Sequence, residues 1–243
     1  DAQESRGLGD VYKRQALGES KKKVLVIDFD PQGNTSSGYG IEKDELEHDV
    51  YDALLHDFPI EEIVLDTCEP NVFVIPATIQ LAGAEIELVS TMARESVLKN
   101  VLSPIVNDFD YVFIDCPPSL GLLTINALVA ADSLLIPIQC EFYALEGLTK
   151  LLESMKMVKK RLNPELDVFG VVMTMYDSRT TLSKEVVEEV RKYFGKKVFK
   201  TIIPRSVKLS EAPSHGVPIT MYSRVNKGAL AYRNLAKEVV RRG

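Results

Sequence analysis

The chain has 243 residues, 45% of them hydrophobic and 26% charged, which fits one large domain with enough chain to bury a core. No apolar run approaches the roughly 20 residues that span a bilayer, and residues 1–20 lack the apolar core of a secretory signal. These features argue against a membrane-spanning or secreted protein. The cysteines, Cys68, Cys116 and Cys140, have neither metal-binding nor disulfide spacing, so we expect reduced, cytosolic thiols.

The net charge of −6 is unevenly distributed along the chain. The segment from Lys184 to the end contains 14 Lys/Arg and 5 Asp/Glu, a balance of +9, whereas the remainder has a balance of −15. A basic end on an acidic body indicates a region that meets a polyanion. A solvated helical surface would explain the same charges, and composition alone leaves both interpretations open.

Short β-branched runs alternate with longer helical patterns along the chain. The predicted strands are Lys23–Asp28, Val72–Ile75, Tyr111–Asp115, Leu134–Ile138, Val168–Met173 and Val198–Ile203. The predicted helices are Leu46–Leu55, Leu81–Val101, Gly121–Ala130, Gly147–Leu162, Ser183–Phe194 and Gly228–Val240. Most of the strands are nearly continuous apolar runs, which is typical of strands buried on both faces. The alternation therefore predicts an α/β fold, with a mostly parallel sheet flanked by helices.

The first residues fit neither pattern. We expect residues 1–15 to be a non-native or disordered leader, followed by a single domain over residues 16–243. A strand before Lys23 would need a crossover helix, and Ala16–Ser20 is the tail expected of such a helix. The sequence therefore predicts that the first strand of the sheet is absent.

The first clear strand ends in a carboxylate-rich turn, Asp28-Phe29-Asp30-Pro31-Gln32-Gly33-Asn34. In an open parallel sheet, ligands bind beyond the carboxyl ends of the strands. Two carboxylates held there by a Pro–Gly turn can position Mg²⁺, a water molecule or a phosphate-bound lysine. An Asx-rich turn that merely ends a strand is the alternative.

A second motif, Tyr111-Val112-Phe113-Ile114-Asp115-Cys116-Pro117-Pro118, has the form of a Walker B strand. Its terminal carboxylate would face the metal of a nucleotide–Mg²⁺ complex through water. An apolar run that ends in Asp is common, so this motif carries little weight alone. The Pro-Pro-Ser and Leu-Gly that follow make it more specific.

Five spaced motifs resemble those of the chromosomal ParA/Soj partition ATPases. These motifs are DFDPQGNTSSGYG, LAGAEIELV, IDCPPSLGLLTINAL, PIQCEFYALEGL and PRSVKLSEAPSHG, and the similarity runs from about Lys21 to Val240. The resemblance implies a deviant P-loop NTPase fold that binds ATP and Mg²⁺. It also implies an ATP-dependent sandwich homodimer, nonspecific DNA binding and a cytoplasmic, nucleoid-associated location without membrane binding. The implied partner is a ParB-type centromere-binding protein whose N-terminal peptide stimulates hydrolysis.

The resemblance assigns roles to the three carboxylates. Asp30 would help to place the attacking water, and Asp28, the second catalytic candidate, would lie beside the metal and the lysine typical of the family. Asp115 would be the Walker B acid, so that Asp115 and Asp28 are the metal candidates.

Two further groups of residues follow from the same resemblance. Pro204, Arg205 and Ser206 fall where the family contacts the adenine, although the family usually has Asn at the position of Ser206. The residues expected to face DNA phosphates are Arg191, Lys197, Arg224 and Lys227.

The sequence departs from the family at its front. The family opens with a strand and a KGGVGKTT-like loop, whose backbone N–H groups and lysines bind phosphates. Nothing in the 243 residues matches GxxxxGK[ST]. We therefore expect this chain to lack the phosphate-binding loop and to be inactive in ATP hydrolysis.

Two alternatives remain open at the level of sequence. A MinD-like ATPase would end in a basic amphipathic membrane helix, and the segment from Leu235 to Gly243 has too little apolar face for such an anchor. A non-catalytic module that keeps only DNA or partner contacts is also compatible with the sequence.

Overall fold

The computed structural model describes residues 22–141 and 144–243, and the side chains of residues 144–146 fall outside that description. The predicted leader over residues 1–15 and the expected remnant Ala16–Ser20 lie outside the described residues. The predictions of a missing first strand and a missing phosphate loop also concern residues that the structure does not describe.

Strands form wherever the sequence has a continuous apolar run. They are β1 (Val24–Asp28), β2 (Leu65–Asp66), β3 (Val72–Ile75), β4 (Tyr111–Asp115), β5 (Ser133–Gln139), β6 (Asp167–Tyr176) and β7 (Val198–Pro204). All six predicted strands are present, and the two-residue β2 is an addition. A strand as short as β2 leaves no hydrophobic period in the sequence.

The described strands pair mostly in parallel. One sheet has the order β2-β3-β1-β4 and the other has the order β5-β6-β7. Every pairing is parallel except β2 with β3, which is antiparallel. The predicted fold class is therefore confirmed.

The helices connect these strands, and most lie where the sequence predicts them. They are α1 (Asn34–Gly38), α2 (Val50–Leu55), α3 (Leu81–Glu87), α4 (Val97–Leu102), α5 (Leu122–Ala130), α6 (Ala144–Arg161), α7 (Thr181–Phe194), α8 (Val207–Glu211), α9 (Ile219–Tyr222) and α10 (Lys227–Arg242). The sequence pattern misses the short helices α1, α8 and α9, because a helix of one turn has no measurable period. Within the described residues, no helix is both long and apolar enough to cross a membrane.

The predicted helix Leu81–Val101 is broken. It forms α3, then 3₁₀ turns at Leu88–Ser90 and Arg94–Ser96, and then α4. The Ser90 hydroxyl donates to the carbonyl oxygen of Glu87 at 3.1 Å, a local bond that competes with helix continuation. Ala93 then adopts a left-handed φ of 53°. The break therefore coincides with two local features that hydrophobic periodicity does not register.

The core joins both sheets. On β1, Val24 and Val26 face a cluster that includes Phe199 of β7 and Leu235 of α10. Leu25, on the opposite face of β1, packs into a second cluster with α2, α3, α4 and α5. Because both faces of β1 are buried, its residues are apolar at every position before Asp28.

Candidate functional site

The two candidate metal ligands lie side by side at the carboxyl edge of one sheet. Strands β1 and β4 pair in parallel with Asp28 opposite Asp115, and both residues are buried. The backbone pairing of the two strands extends one residue beyond β1, because the Phe29 N–H donates to the carbonyl oxygen of Asp115 at 2.8 Å. The two carboxylates that the resemblance assigns to the metal therefore lie on neighbouring strand ends.

Two hydroxyls on the first turn of α1 hold the carboxylates. Asp28 Oδ2 accepts from both the backbone N–H and the hydroxyl of Ser36, each at 2.7 Å. The Thr35 hydroxyl donates to Asp115 Oδ2 in a short hydrogen bond. Thr35 and Ser36 are both fully buried. Sequence reasoning did not single them out, although both belong to the DFDPQGNTSSGYG motif.

Ser36 also ties the site to the neighbouring strand β3. Its Oγ accepts from the Ala77 N–H at 3.2 Å, just beyond the end of β3. The ends of β1 and β3 are therefore connected through this one buried hydroxyl, and Thr35, the preceding residue of α1, reaches the end of β4.

Asp30 lies on a tight turn and is only partly buried, unlike Asp28. Its Oδ1 accepts from the Gln32 N–H at 2.9 Å, and its carbonyl oxygen accepts from the Gly33 N–H at 2.8 Å. Gly33 closes the turn with a φ of 61°, and a Cβ there would lie 2.6 Å from the Ala77 carbonyl oxygen. The turn needs glycine, and the partly buried Asp30 carboxylate is held by a hydrogen bond within the turn itself.

A lysine that sequence reasoning missed lies against the same turn. Lys43 Nζ donates to the Gln32 carbonyl oxygen at 2.8 Å, from a 3₁₀ turn at Lys43–Glu45. The segment from Glu42 to Glu62 has nine acidic residues, and Lys43 is its one lysine or arginine. A single cation in such an acidic stretch was a signal that could have drawn attention to it.

The predicted adenine residues occupy the corresponding end of β7. Pro204 ends the strand, and the Arg205 N–H donates to the Tyr176 carbonyl oxygen at 2.9 Å. The Ser206 hydroxyl donates to Asn226 Oδ1 at 3.2 Å. The chain after Ser206 returns towards the carboxylates, because the turn Ala212–His215 packs against α1. These three residues therefore lie on the same side of the fold as Asp28 and Asp115.

The four residues predicted to face DNA do not form one compact cluster. Arg224 and Lys227 are exposed at the start of α10. At the other end of this helix, about 24 Å away at 1.5 Å per residue, Arg242 donates to the Lys197 carbonyl oxygen. Lys197 itself is paired with Asp167 at 2.7 Å, which partly neutralises its charge. Arg191 is exposed on the last turn of α7.

A basic groove that sequence reasoning missed lies between these two ends. It has a volume of about 660 Å³ and is lined by Lys200, Lys237 and Arg241, together with Asn234 and the buried carboxylate of Glu238. Burial opposes ionisation of Glu238. Hydrogen bonds from the backbone N–H groups of Lys200 and Thr201 and from Arg242 outweigh it and lower the pKa of this carboxyl. The Lys/Arg excess after Lys184 was the sequence signal for this surface.

The site suits a magnesium ion better than it suits a whole nucleotide. Carboxylate and hydroxyl oxygens are hard donors of the kind that Mg²⁺ prefers, and Asp28, Asp115 and Thr35 bring them together. Across residues 22–141 and 144–243, no three His, Cys, Asp or Glu side chains form a complete metal cage. This is compatible with Mg²⁺, which keeps several waters and takes further ligands from phosphates. The part of the chain that the structure describes contains no glycine-rich loop with a lysine to hold those phosphates.

Comparisons with known proteins agree with this geometry. A family model described as an AAA domain matches residues 13–168. The sporulation initiation inhibitor protein Soj of Bacillus subtilis is 57% identical over 222 residues, which cover 91% of this chain and 88% of that protein. The chromosome partitioning protein ParA of Myxococcus xanthus is 50% identical, with 93% of this chain and 80% of that protein covered.

Among solved structures, one similar chain is described as cobyrinic acid a,c-diamide synthase from Mycobacterium smegmatis with bound ADP and magnesium. It superimposes with a TM-score of 0.86 at 35% sequence identity, over 99% of this chain and 91% of that chain. The architecture described above is therefore one that holds a magnesium nucleotide in a similar protein.

Proposed function

The chain belongs to the Soj/ParA family of chromosome-partitioning ATPases, and we propose that it partitions DNA as a Mg²⁺-dependent ATP hydrolase. The proposal includes an ATP-bound homodimer, DNA binding without sequence preference and stimulation by a ParB-type partner. The observation that carries it is the register of Asp28 with Asp115, two buried carboxylates at the carboxyl ends of neighbouring parallel strands. This edge is where open α/β sheets bind their ligands.

Each carboxylate has a distinct task in the proposed reaction. Asp115 and Asp28 hold the metal side of the site, and the Thr35 and Ser36 hydroxyls fix the orientation of their carboxylates. Asp30, on the tight turn after β1, orients the attacking water. When bound, Mg²⁺ neutralises the charge that develops on the phosphates of ATP.

We propose that the end of β7 binds the base of the nucleotide. Pro204 supplies an apolar surface, and Arg205 and Ser206 form the start of the loop that returns to α1. The family's Asn is replaced by Ser206, and the Ser206 hydroxyl is 3.2 Å from Asn226 Oδ1. Asn226 thus brings a side-chain amide close to the position where the family carries one.

We propose that the DNA-binding surface follows α10. Arg224 and Lys227 lie at the start of α10, Lys197 lies at its end, and the second half of the helix lines the groove. Arg191, on the last turn of α7, completes the proposed set. Duplex DNA carries one negative charge per ≈1.7 Å of its axis, so a surface about 24 Å long meets many phosphates. Contacts of this kind position a protein without reading bases and give the proposed association with the nucleoid.

The hydrolase proposal is tested in a loop-bearing form of the chain, in which a strand and a KGGVGKTT-type loop precede residue 16. Asp115→Asn should abolish most Mg²⁺-dependent ATP hydrolysis, because it removes the charge facing the metal. Asp110→Asn is the matched control, since Asp110 lies just before β4, at its amino end, and pairs with Lys22 at 2.9 Å. Equal activity in the two variants would contradict the proposed metal site.

A further inference from the structure

The helix that holds the candidate metal ligands lies against the loop that follows the proposed base-binding residues. Thr35 and Ser36, at the start of α1, contact Asp115 and Asp28. The same helix packs against the 3₁₀ turn Ala212–His215, which belongs to that loop. This short helix therefore touches both halves of the candidate site, the half that holds the metal and the half that holds the base.

Two glycines bring the backbones of α1 and the loop together. Gly40 follows α1 with a φ of 76°, and Gly216 follows the 3₁₀ turn with a φ of 60°. A Cβ added to Gly40 would lie 3.0 Å from the Gly216 carbonyl oxygen, and a Cβ added to Gly216 would lie 3.1 Å from Gly40 Cα. Both distances are shorter than ordinary contact between carbon atoms, at about 3.5–4.0 Å. The two backbones therefore approach as closely as only glycine permits.

Backbone, rather than a flexible side chain, stands on each side of this contact. The Gly40 N–H donates to the Ser37 carbonyl oxygen at 3.0 Å, and the Gly216 N–H donates within the 3₁₀ turn at 2.9 Å. Tyr39 and Ala212, one from each side, are buried in the same core cluster. Because a packed interior transmits strain instead of absorbing it, a displacement of the loop moves α1 as well.

We propose that Gly40 and Gly216 are positioning residues of the metal site, and that their contact fixes where α1 holds the two carboxylates. The loop after Ser206 thereby sets the positions of Thr35 and Ser36. The proposal rests on the proposed function for the identity of the metal and base sites. A merely structural role for the two glycines would lower the stability of the whole fold without a separate effect on α1.

Amide hydrogen exchange of the 243-residue chain, followed by NMR, tests the proposal without ATP. The Ser36 N–H donates to Asp28 Oδ2 at 2.7 Å, so its protection reports how firmly α1 holds this carboxylate. In Gly216→Ala, the protection of this amide relative to the amides of β6 should fall about tenfold, because a hydrogen bond to a charged group is weakened. Gly40→Ala should have the same effect from the other side of the contact.

Gly195→Ala is the matched control. Gly195, at the end of α7, also has a positive φ, of 54°, and a Cβ added there would meet nothing within 4 Å in the described part of the chain. This substitution strains the backbone and should lower the melting temperature, yet it should leave the relative protection of the Ser36 amide unchanged. An unchanged ratio in Gly216→Ala, or an equal fall in Gly195→Ala, would overturn the proposal.

The double variant of Gly40→Ala with Gly216→Ala shows whether the two glycines act through one contact. Both added methyl groups widen the same gap, so the double variant should lose clearly less protection at Ser36 than the product of the two single losses. A loss equal to that product would make the two effects independent and would contradict a shared contact.

The metal dependence of the loop-bearing form connects this contact to the reaction. Gly216→Ala should raise the Mg²⁺ concentration for half-maximal ATP hydrolysis about tenfold, as expected when the support of metal ligands is disturbed. Gly195→Ala should leave that concentration unchanged. Electron paramagnetic resonance with Mn²⁺ and ADP measures the metal affinity without turnover, and equal Mn²⁺ affinity in Gly216→Ala and the wild type would overturn the proposal.

If Gly216→Ala does not fold, the wild-type loop-bearing form carries the test. Binding of ADP and Mg²⁺ should slow hydrogen exchange at the Gly40 and Gly216 amides together with the Ser36 amide, and slowing at Ser36 alone would overturn the proposal. The two levels of the argument fail separately. A loop-bearing wild type without ATP hydrolysis would refute the proposed function, whereas an unchanged exchange ratio in the 243-residue variants would refute the positioning contact alone.

Discussion

Removal of one buried hydroxyl, in Ser36→Ala, should destabilise the protein strongly for a residue of its size. Ser36 Oγ donates to Asp28 Oδ2 at 2.7 Å and accepts from the Ala77 N–H at 3.2 Å. Loss of a hydrogen bond to a charged group costs about 1.5–3 kcal/mol, and a buried donor left unpaired costs about 1–3 kcal/mol. Because the Ser36 backbone N–H still holds Asp28, we expect a total loss of roughly 3–5 kcal/mol.

Urea denaturation followed by circular dichroism measures this loss. For a slope of about 2.5–3 kcal/mol per molar, the midpoint should fall by about 1–2 M with the slope unchanged. Ser37→Ala is the matched control, because Ser37 lies on the same turn of α1 and is only partly buried. It should change stability by less than about 0.5 kcal/mol. Equal midpoints for the two variants would refute the assigned role of the Ser36 hydroxyl.

Three other perturbations have defined outcomes. Gly33→Ala should lower the melting temperature, because it forces a side chain into a φ of 61° and within 2.6 Å of the Ala77 carbonyl oxygen; an unchanged melting temperature would contradict the turn geometry. Glu238 has a lowered pKa, so its stabilising contribution is present above its ordinary pKa of 4.5 and is lost as the pH falls through the folded value. A melting series from pH 7 to pH 3 should therefore fall more steeply in the wild type than in Glu238→Gln, and parallel curves would exclude this contribution. Reversal of Arg224 and Lys227 to Glu should weaken DNA binding about equally on unrelated sequences and flatten its salt dependence in a filter-binding titration; a loss confined to one sequence would indicate base readout instead.

The strands were predictable because a strand that is buried on both faces has apolar residues at consecutive positions. β3 and β4 have the predicted limits, and β1 begins one residue later, since β-branched runs bounded by polar turns leave few alternatives. The parallel pairing of β1 with β4 then places the carboxyl ends of both strands on one edge. Asp28 and Asp115, the last residues of these strands, therefore lie close together at the edge where such sheets bind ligands.

The missed features depend on contacts between residues that are distant in sequence. Lys197 is paired with Asp167, 30 residues earlier, so its charge could not be judged from its neighbours. Thr35 reaches Asp115 across 80 residues, and only the packing of α1 on the strand ends makes that bond. The break after α3 is different, because the features that accompany it, the Ser90 hydroxyl bond and the left-handed φ of Ala93, are local and leave no mark on a hydrophobic period.

The measurement that tests the central claim most directly is ATP binding and single-turnover ATP hydrolysis in the same samples of the loop-bearing form, with and without Asp30→Ala. A carboxylate that orients water acts mainly in the transition state, so its loss should slow turnover while ATP binding and dimer formation persist. The 243-residue chain, which contains no GxxxxGK[ST] segment, should show no turnover in the same assay. Loss of ATP binding in Asp30→Ala would contradict the assignment of Asp30 to catalysis. ATP hydrolysis by the 243-residue chain itself, stimulated by DNA and a ParB-type peptide, would contradict the requirement for the loop.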